Sequence, residues 1–145
     1  MSVSQSEPER GESESPLQGV ELRMAANPTQ LSIVRAVAAD IAMRQDFDLD
    51  SIEDLKLAVD EACSTLIALA APDAVLSARF VVTDGVVQVA TQVGSKRSSP
   101  PDRDSFGWRV LSALVDSVTT WVAPQAGDDE YVVHIDLVKR GLVDA

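Results

Sequence analysis

Asp54-Leu55-Lys56-Leu57-Ala58-Val59-Asp60-Glu61-Ala62-Cys63-Ser64-Thr65-Leu66-Ile67-Ala68 reads as the helix around which the rest of the chain is arranged. Ile52, Leu55, Val59, Ala62, Leu66 and Leu69 recur at helical spacing and form one apolar stripe. A second face carries Asp54, Ala58, Glu61, Thr65 and Ala68, residues that are mostly small or apolar. Glu61 therefore stands among small neighbours, where a solvated face would carry Lys, Glu and Arg. That face borders either more protein or a cavity.

Asp50-Ser51-Ile52-Glu53 reads as the start of this helix, with Asp50 as N-cap and Glu53 three residues on, and Ala71-Pro72-Asp73 stops it. Upstream, residues 18–25 alternate apolar with polar, which predicts a strand with Val20, Leu22 and Met24 pointing inward. Asn27-Pro28-Thr29-Gln30 predicts another helix start, with Asn27 as N-cap and Gln30 completing a capping box. Leu31, Val34, Val37, Ala38 and Ile41 continue it as one stripe ending near Gln45. Downstream, residues 74–82 and 85–91 are strand-like, joined by the hairpin signal Thr83-Asp84-Gly85. Residues 93–104 read as a long loop of turn formers. Asp104 or Ser105 then caps a third helix with Phe106, Val110, Leu111, Leu114 and Val115 as its stripe. Strands over 118–122 and 130–138 complete the order β-α-α-β-β-α-β-β. The fold class expected is α+β: a two-layer sandwich, its mixed sheet antiparallel-dominated, with three helices on one face. Residues 1–16, rich in Ser and Glu, read as a disordered acidic tail, and residues 17–145 as a single domain.

Composition narrows the function classes. The chain has 145 residues, 46% hydrophobic and 24% charged, an ordinary balance for a globular domain. A net charge of -11 disfavours a nucleic-acid surface, which needs clustered Lys and Arg, and favours a basic protein partner. The single cysteine, Cys63, excludes an internal disulfide and falls in a helix core. No apolar run approaches the ~20 residues that span a bilayer, and the amino terminus does not read as a signal peptide, so no membrane partner and a cytoplasmic location are expected. His134, the only histidine, alternates with strand residues and reads as structural. Asp48, Asp50, Glu53 and Asp54 lack the glycine and terminal Glu of a calcium loop and read as helix-capping acids.

The element order, the carboxylate in the second helix and a glycine-containing loop before the third helix together resemble the GHKL ATPase superfamily. Within it the chain is most similar to the RsbW-type anti-sigma factors, which are serine-protein kinases. The resemblance covers roughly residues 20–140 and is most telling over 54–70 and 105–118. In such proteins the second helix carries a Glu followed four residues later by an Asn, here Glu61 and Thr65. Residues four apart share a helix face and can address one metal-triphosphate group. The resemblance implies Glu61 as general base and Thr65, with a shorter reach than Asn, at the magnesium ligand's place.

The family's Asp-x-Gly-x-Gly box, which binds adenine, corresponds to Gln92-Val93-Gly94-Ser95-Lys96. Here Gln92 stands for the Asp, Gly94 is kept and Lys96 replaces the second glycine. The later Gly-x-Gly-x segment that cradles phosphates corresponds to Ser105-Phe106-Gly107-Trp108, with one glycine kept and Trp108 at the expected pocket mouth. Glu61 is then a vestigial base, ATP and Mg2+ are the family's cofactors held weakly if at all, and the fold is kept for protein recognition. The partners implied are an alternative sigma factor, an anti-anti-sigma factor and a second copy in a homodimer. Two other expectations stand beside this one: an active ATP- and magnesium-dependent serine kinase acting on the antagonist, and a small-ligand pocket with Trp108 as stacking platform.

Overall fold

A computed structural model describes residues 19–127 and 129–141, and the expected tail at 1–16 lies outside them. The described elements run β1 (Gly19–Ala25), α1 (Leu31–Arg44), α2 (Leu49–Leu69), β2 (Val75–Thr83), β3 (Val86–Ser95), α3 (Phe106–Leu114), β4 (Ser117–Pro124) and β5 (Tyr131–Arg140), with a short 3-10 turn at Pro28–Gln30 before α1. The expected order and α+β class are borne out. The five strands lie in the order β1-β2-β3-β5-β4, and each neighbouring pair is antiparallel. Asp84 and Gly85 take φ of 50° and 75°, the left-handed pair that a two-residue hairpin needs to match the twist of its strands.

Local chemistry sets the helix ends, in places differently from expectation. Asn27 Oδ1 accepts the Thr29 N–H at 2.9 Å and so caps the 3-10 turn, while Gln30 makes no side-chain cap bond. At α2 the N-cap is Asp48, which accepts the Ser51 N–H at 3.3 Å, and not Asp50. Asp48 has the extended backbone that a cap requires. Asp50 falls inside the first turn, where its charge favours the helix dipole. The Ser51 hydrogen bonds hold the Asp48 carboxyl below its usual range. Strand β3 runs on to Ser95 because Val132 and Tyr131 of β5 pair with Gly94 and Ser95, so the loop starts only at Lys96. Phe106, expected in the stripe of α3, is 81% exposed.

The core lies between the sheet and α2. Leu76, Ala78, Phe80, Val87, Val89, Val93, Val133, Ile135 and Leu137 form the inner sheet face, and Leu55, Ala58, Val59, Ala62 and Leu66 of α2 are fully buried over it. Helix α2 is flanked by α1 and α3, and the Arg35–Asp60 ion pair at 2.6 Å ties α1 to it. Burial, and secondarily the charge of Asp60, pushes the Cys63 thiol up to about 12, consistent with its place in the core. Leu22 and Met24 pack inward as expected, but Val20 stays 42% exposed at a cavity of about 940 Å3 between α1 and the β2–β3 hairpin. No described helix is long and apolar enough to cross a membrane.

The opposite sheet face carries Glu21, Arg23, Arg79, Gln92, His134, Asp136 and Trp121. His134 stacks on Trp121 with ring centroids 4.5 Å apart, and burial draws its pKa down. Asp136 Oδ1 is buried without a hydrogen-bond partner, and desolvation raises its carboxyl above the usual range.

Two outcomes are expected in thermal melts. Leu55→Ala, at a position without exposure, should cost about 2–5 kcal/mol. Asp136→Asn should raise stability slightly at neutral pH. Because the folded pKa of Asp136 lies above its unfolded value, the penalty is fully present above the folded pKa and disappears as the acid protonates, so the gain should fade on acidification.

Candidate functional site

The small face of α2 borders protein, namely α3. The two helices run antiparallel: the start of α3 meets α2 at Glu61, and its end meets α2 at Asp54. At that end Lys139 Nζ donates to the Leu114 carbonyl at 2.9 Å and to Asp54 Oδ2 at 3.4 Å, so one lysine joins α2, α3 and β5. Lys139 continues the inward series Val133, Ile135, Leu137, which is the sequence signal by which its place under the helices could have been found.

At the other end, Ser105 caps α3 by accepting the Trp108 N–H at 3.1 Å. A methyl group placed on Gly107 would stand 2.5 Å from Glu61 Oε2 and 3.3 Å from Glu61 Cδ. The half-buried Glu61 carboxylate therefore fills the notch left by the missing side chain. One turn along α2, Thr65 Oγ1 donates to the Glu61 carbonyl at 2.9 Å and approaches Glu61 Oε2 at 3.4 Å. Its hydroxyl proton is thus held by its own helix. Trp108 packs against the core, with the guanidinium carbon of Arg103 5.9 Å from its ring centroid.

Other expected site residues lie elsewhere. In β3 the inward positions are Thr91, Val93 and Ser95, all buried, whereas Gln92 pairs with His134 and Gly94 with Val132 on the opposite face. Gln92 and Gly94 line a cavity of about 530 Å3 with Glu21, Arg23, Arg79 and Gln125, across the sheet from Glu61. A shift of one residue in a strand changes the face addressed, and the expected adenine-binding position falls on the wrong side of it. Lys96 is exposed just beyond the strand. The residue that does face α2 is Ser95, whose Oγ donates to the Leu69 carbonyl at 2.7 Å and accepts the Arg97 N–H at 3.0 Å.

Glu61, Thr65, Ser105, Gly107 and Trp108 are thus gathered along α2 and the start of α3, while Gln92 and Gly94 are not. In this arrangement the residues present do not fit a magnesium nucleotide. The carboxylate occupies the glycine notch and the adenine candidate faces away.

Residues 24–130 match the histidine kinase-like ATPase domain. The chain belongs to that family. The expected likeness to RsbW proteins is borne out as well: the domain is 38% identical over 109 residues to the anti-sigma-F factor RsbW of Mycobacterium tuberculosis, covering 72% of this chain and 62% of that protein. It is 36% identical over 73 residues to the serine-protein kinase RsbW of Bacillus velezensis, covering 48% of this chain and 46% of the relative. The histidine kinase-like chain therefore spans less than two thirds of the length of these relatives. A crystal structure of RsbU and RsbW domains from Mycobacterium tuberculosis shares the fold, with a TM-score of 0.54 at 19% identity over 87% of this chain and 35% of that one.

Removal of the α3 cap by Ser105→Ala should lower stability by about 1 kcal/mol, read in denaturant unfolding.

Proposed function

We propose that this histidine kinase-like domain is an anti-sigma factor that sequesters an alternative sigma factor and is released by an anti-anti-sigma antagonist, with nucleotide binding lost or greatly weakened. The observation that carries the reading is the 38% identity to an anti-sigma-F factor over most of the chain. The net charge of -11 supports it, because a sigma factor's DNA-facing surface is basic and an acidic protein meets it with complementary charge. The weakened nucleotide site is supported by the Glu61 carboxylate lying against Gly107 and by Gln92 turning to the far face of the sheet. In this reading the domain works as a homodimer in the cytoplasm, and the fold serves recognition without a chemical step.

A second reading is favoured by the retained Glu61 and by relatives named serine-protein kinases. In it the domain phosphorylates the antagonist with ATP and magnesium, Glu61 accepting the proton of the attacking serine hydroxyl. Calorimetry with magnesium and ATP separates the two. The anti-sigma reading expects no measurable heat at high nucleotide concentration, and a clear binding isotherm would favour the kinase.

A pull-down from native cytoplasm, run with and without ATP, should capture a sigma factor equally in both. Failure to capture one would overturn the anti-sigma reading. Glu61→Ala should leave that capture nearly intact, and a large loss in a folded variant would count against recognition independent of the carboxylate.

A further inference from the structure

Helices α1 and α2 meet in a short corner, Gln45 to Asp48, that is held rigid from within. The Gln45 and Phe47 N–H groups both donate to the Ala42 carbonyl at 3.1 Å, Asp46 takes the left-handed region at φ 58°, and Phe47 is buried beneath the turn. The surface around the corner is apolar where solvent meets it: Met43 is 54% exposed, Leu49 79% and Leu57 53%. Leu49, Glu53 and Leu57 follow one another at i, i+4 and i+8 and share one solvent-facing row along α2. The two leucines of that row stand about 12 Å apart along the axis, a little over two helical turns. Met43 lies two turns from Arg35 on the row of α1 that the Arg35–Asp60 pair places beside α2. One exposed leucine is ordinary, but two in a row beside an exposed methionine make a patch.

Charge decides what kind of partner this patch fits. Residues 43–57 carry five carboxylates, Asp46, Asp48, Asp50, Glu53 and Asp54, against two cations, Arg44 and Lys56. Both cations are already matched within their own helices, Arg44 by Asp40 at 2.8 Å and Lys56 by Glu53 at 3.3 Å, while Lys139 matches Asp54. Asp46, Asp48 and Asp50 meet no cation among the described residues. A second copy would set like charges face to face across a two-fold axis, and nucleic acid would be repelled.

We propose that the α1–α2 corner is a docking face for a cationic amphipathic helix belonging to the protein this domain sequesters. Apolar anchors of the incoming helix, spaced two turns apart, reach Leu49 and Leu57, Met43 adapts its shape to the seam, and flanking Lys or Arg side chains face Asp46, Asp50 and Glu53. The rigid corner presents these groups at little ordering cost. This inference rests on the anti-sigma reading for the identity of the partner, and it adds where on the domain that partner sits.

The full chain, labelled with nitrogen-15, is titrated with an amphipathic helical peptide of leucine and lysine, about five turns long, and with a peptide of the same composition in scrambled order. The amphipathic peptide should shift amides centred on residues 43–57, and the scrambled one should bind about tenfold more weakly. Leu49→Ala combined with Leu57→Ala, both at exposed positions and so harmless to the core, should weaken binding about tenfold. Val75→Ala, at a 45% exposed apolar residue on the other face of the sheet, should leave it unchanged. Equal binding of the scrambled peptide, shifts centred elsewhere, or full affinity in the leucine variant would overturn the docking face. In the sigma-factor pull-down the leucine variant should retain about a tenth of the parent's capture. Full capture by that variant removes the docking face alone. Failure of the parent to capture a sigma factor removes the anti-sigma reading, and the peptide titration then decides the docking face by itself.

Discussion

The fold depends on one helix roofing a sheet that is covered on a single side. Leu55, Ala58, Val59, Ala62 and Leu66 of α2 are fully buried over strands β2, β3 and β5. Two alanines among these five let the helix axis come close to the sheet while the leucines fill the spaces on either side. Once α2 is seated, α1 and α3 need only flank it, and both do so largely through contacts to α2. The site inherits this dependence, since Glu61 points sideways from α2 toward α3 while its neighbours Ala62 and Cys63 are buried in the core.

Periodicity made most of this legible in the sequence. The strict alternation of β5, the stripe of α2 and the Asp84-Gly85 turn each obey a local rule, and each is where that rule puts it. Local rules failed where a neighbour decided the outcome. Two aspartates two residues apart could each start α2, and the one with extended backbone became the cap. Val93-Gly94-Ser95 has the composition of a loop, yet β5 supplies partners for all three and makes them strand.

The candidate site divides the same way. Glu61 could be singled out from the sequence because its neighbours are small, and Gly107 because a family pattern calls for glycine there. That the two touch is a tertiary fact, since 45 residues, the end of α2, the β2–β3 hairpin and the loop after it, lie between them. Gln92 shows the opposite error. Matching a motif by type placed it in a nucleotide site, while the two-residue period of β3 gives its side chain to the other face of the sheet. Family membership thus fixes the scaffold, and the departures from the family's boxes have to be weighed by which face each residue occupies.

The strand order has a consequence for how the chain reaches this state. Strand β5 comes last among the described elements but lies in the interior of the sheet, between β3 and β4. During synthesis β1, β2 and β3 can pair as soon as they emerge, leaving the long apolar edge of β3 unpaired until the final strand inserts. Lys139, which secures α3, arrives with that same strand. A chain interrupted before β5 would expose a sticky edge and a loose helix together, so the late insertion step is where ribosome stalling or proteolytic clipping would turn this domain toward aggregation.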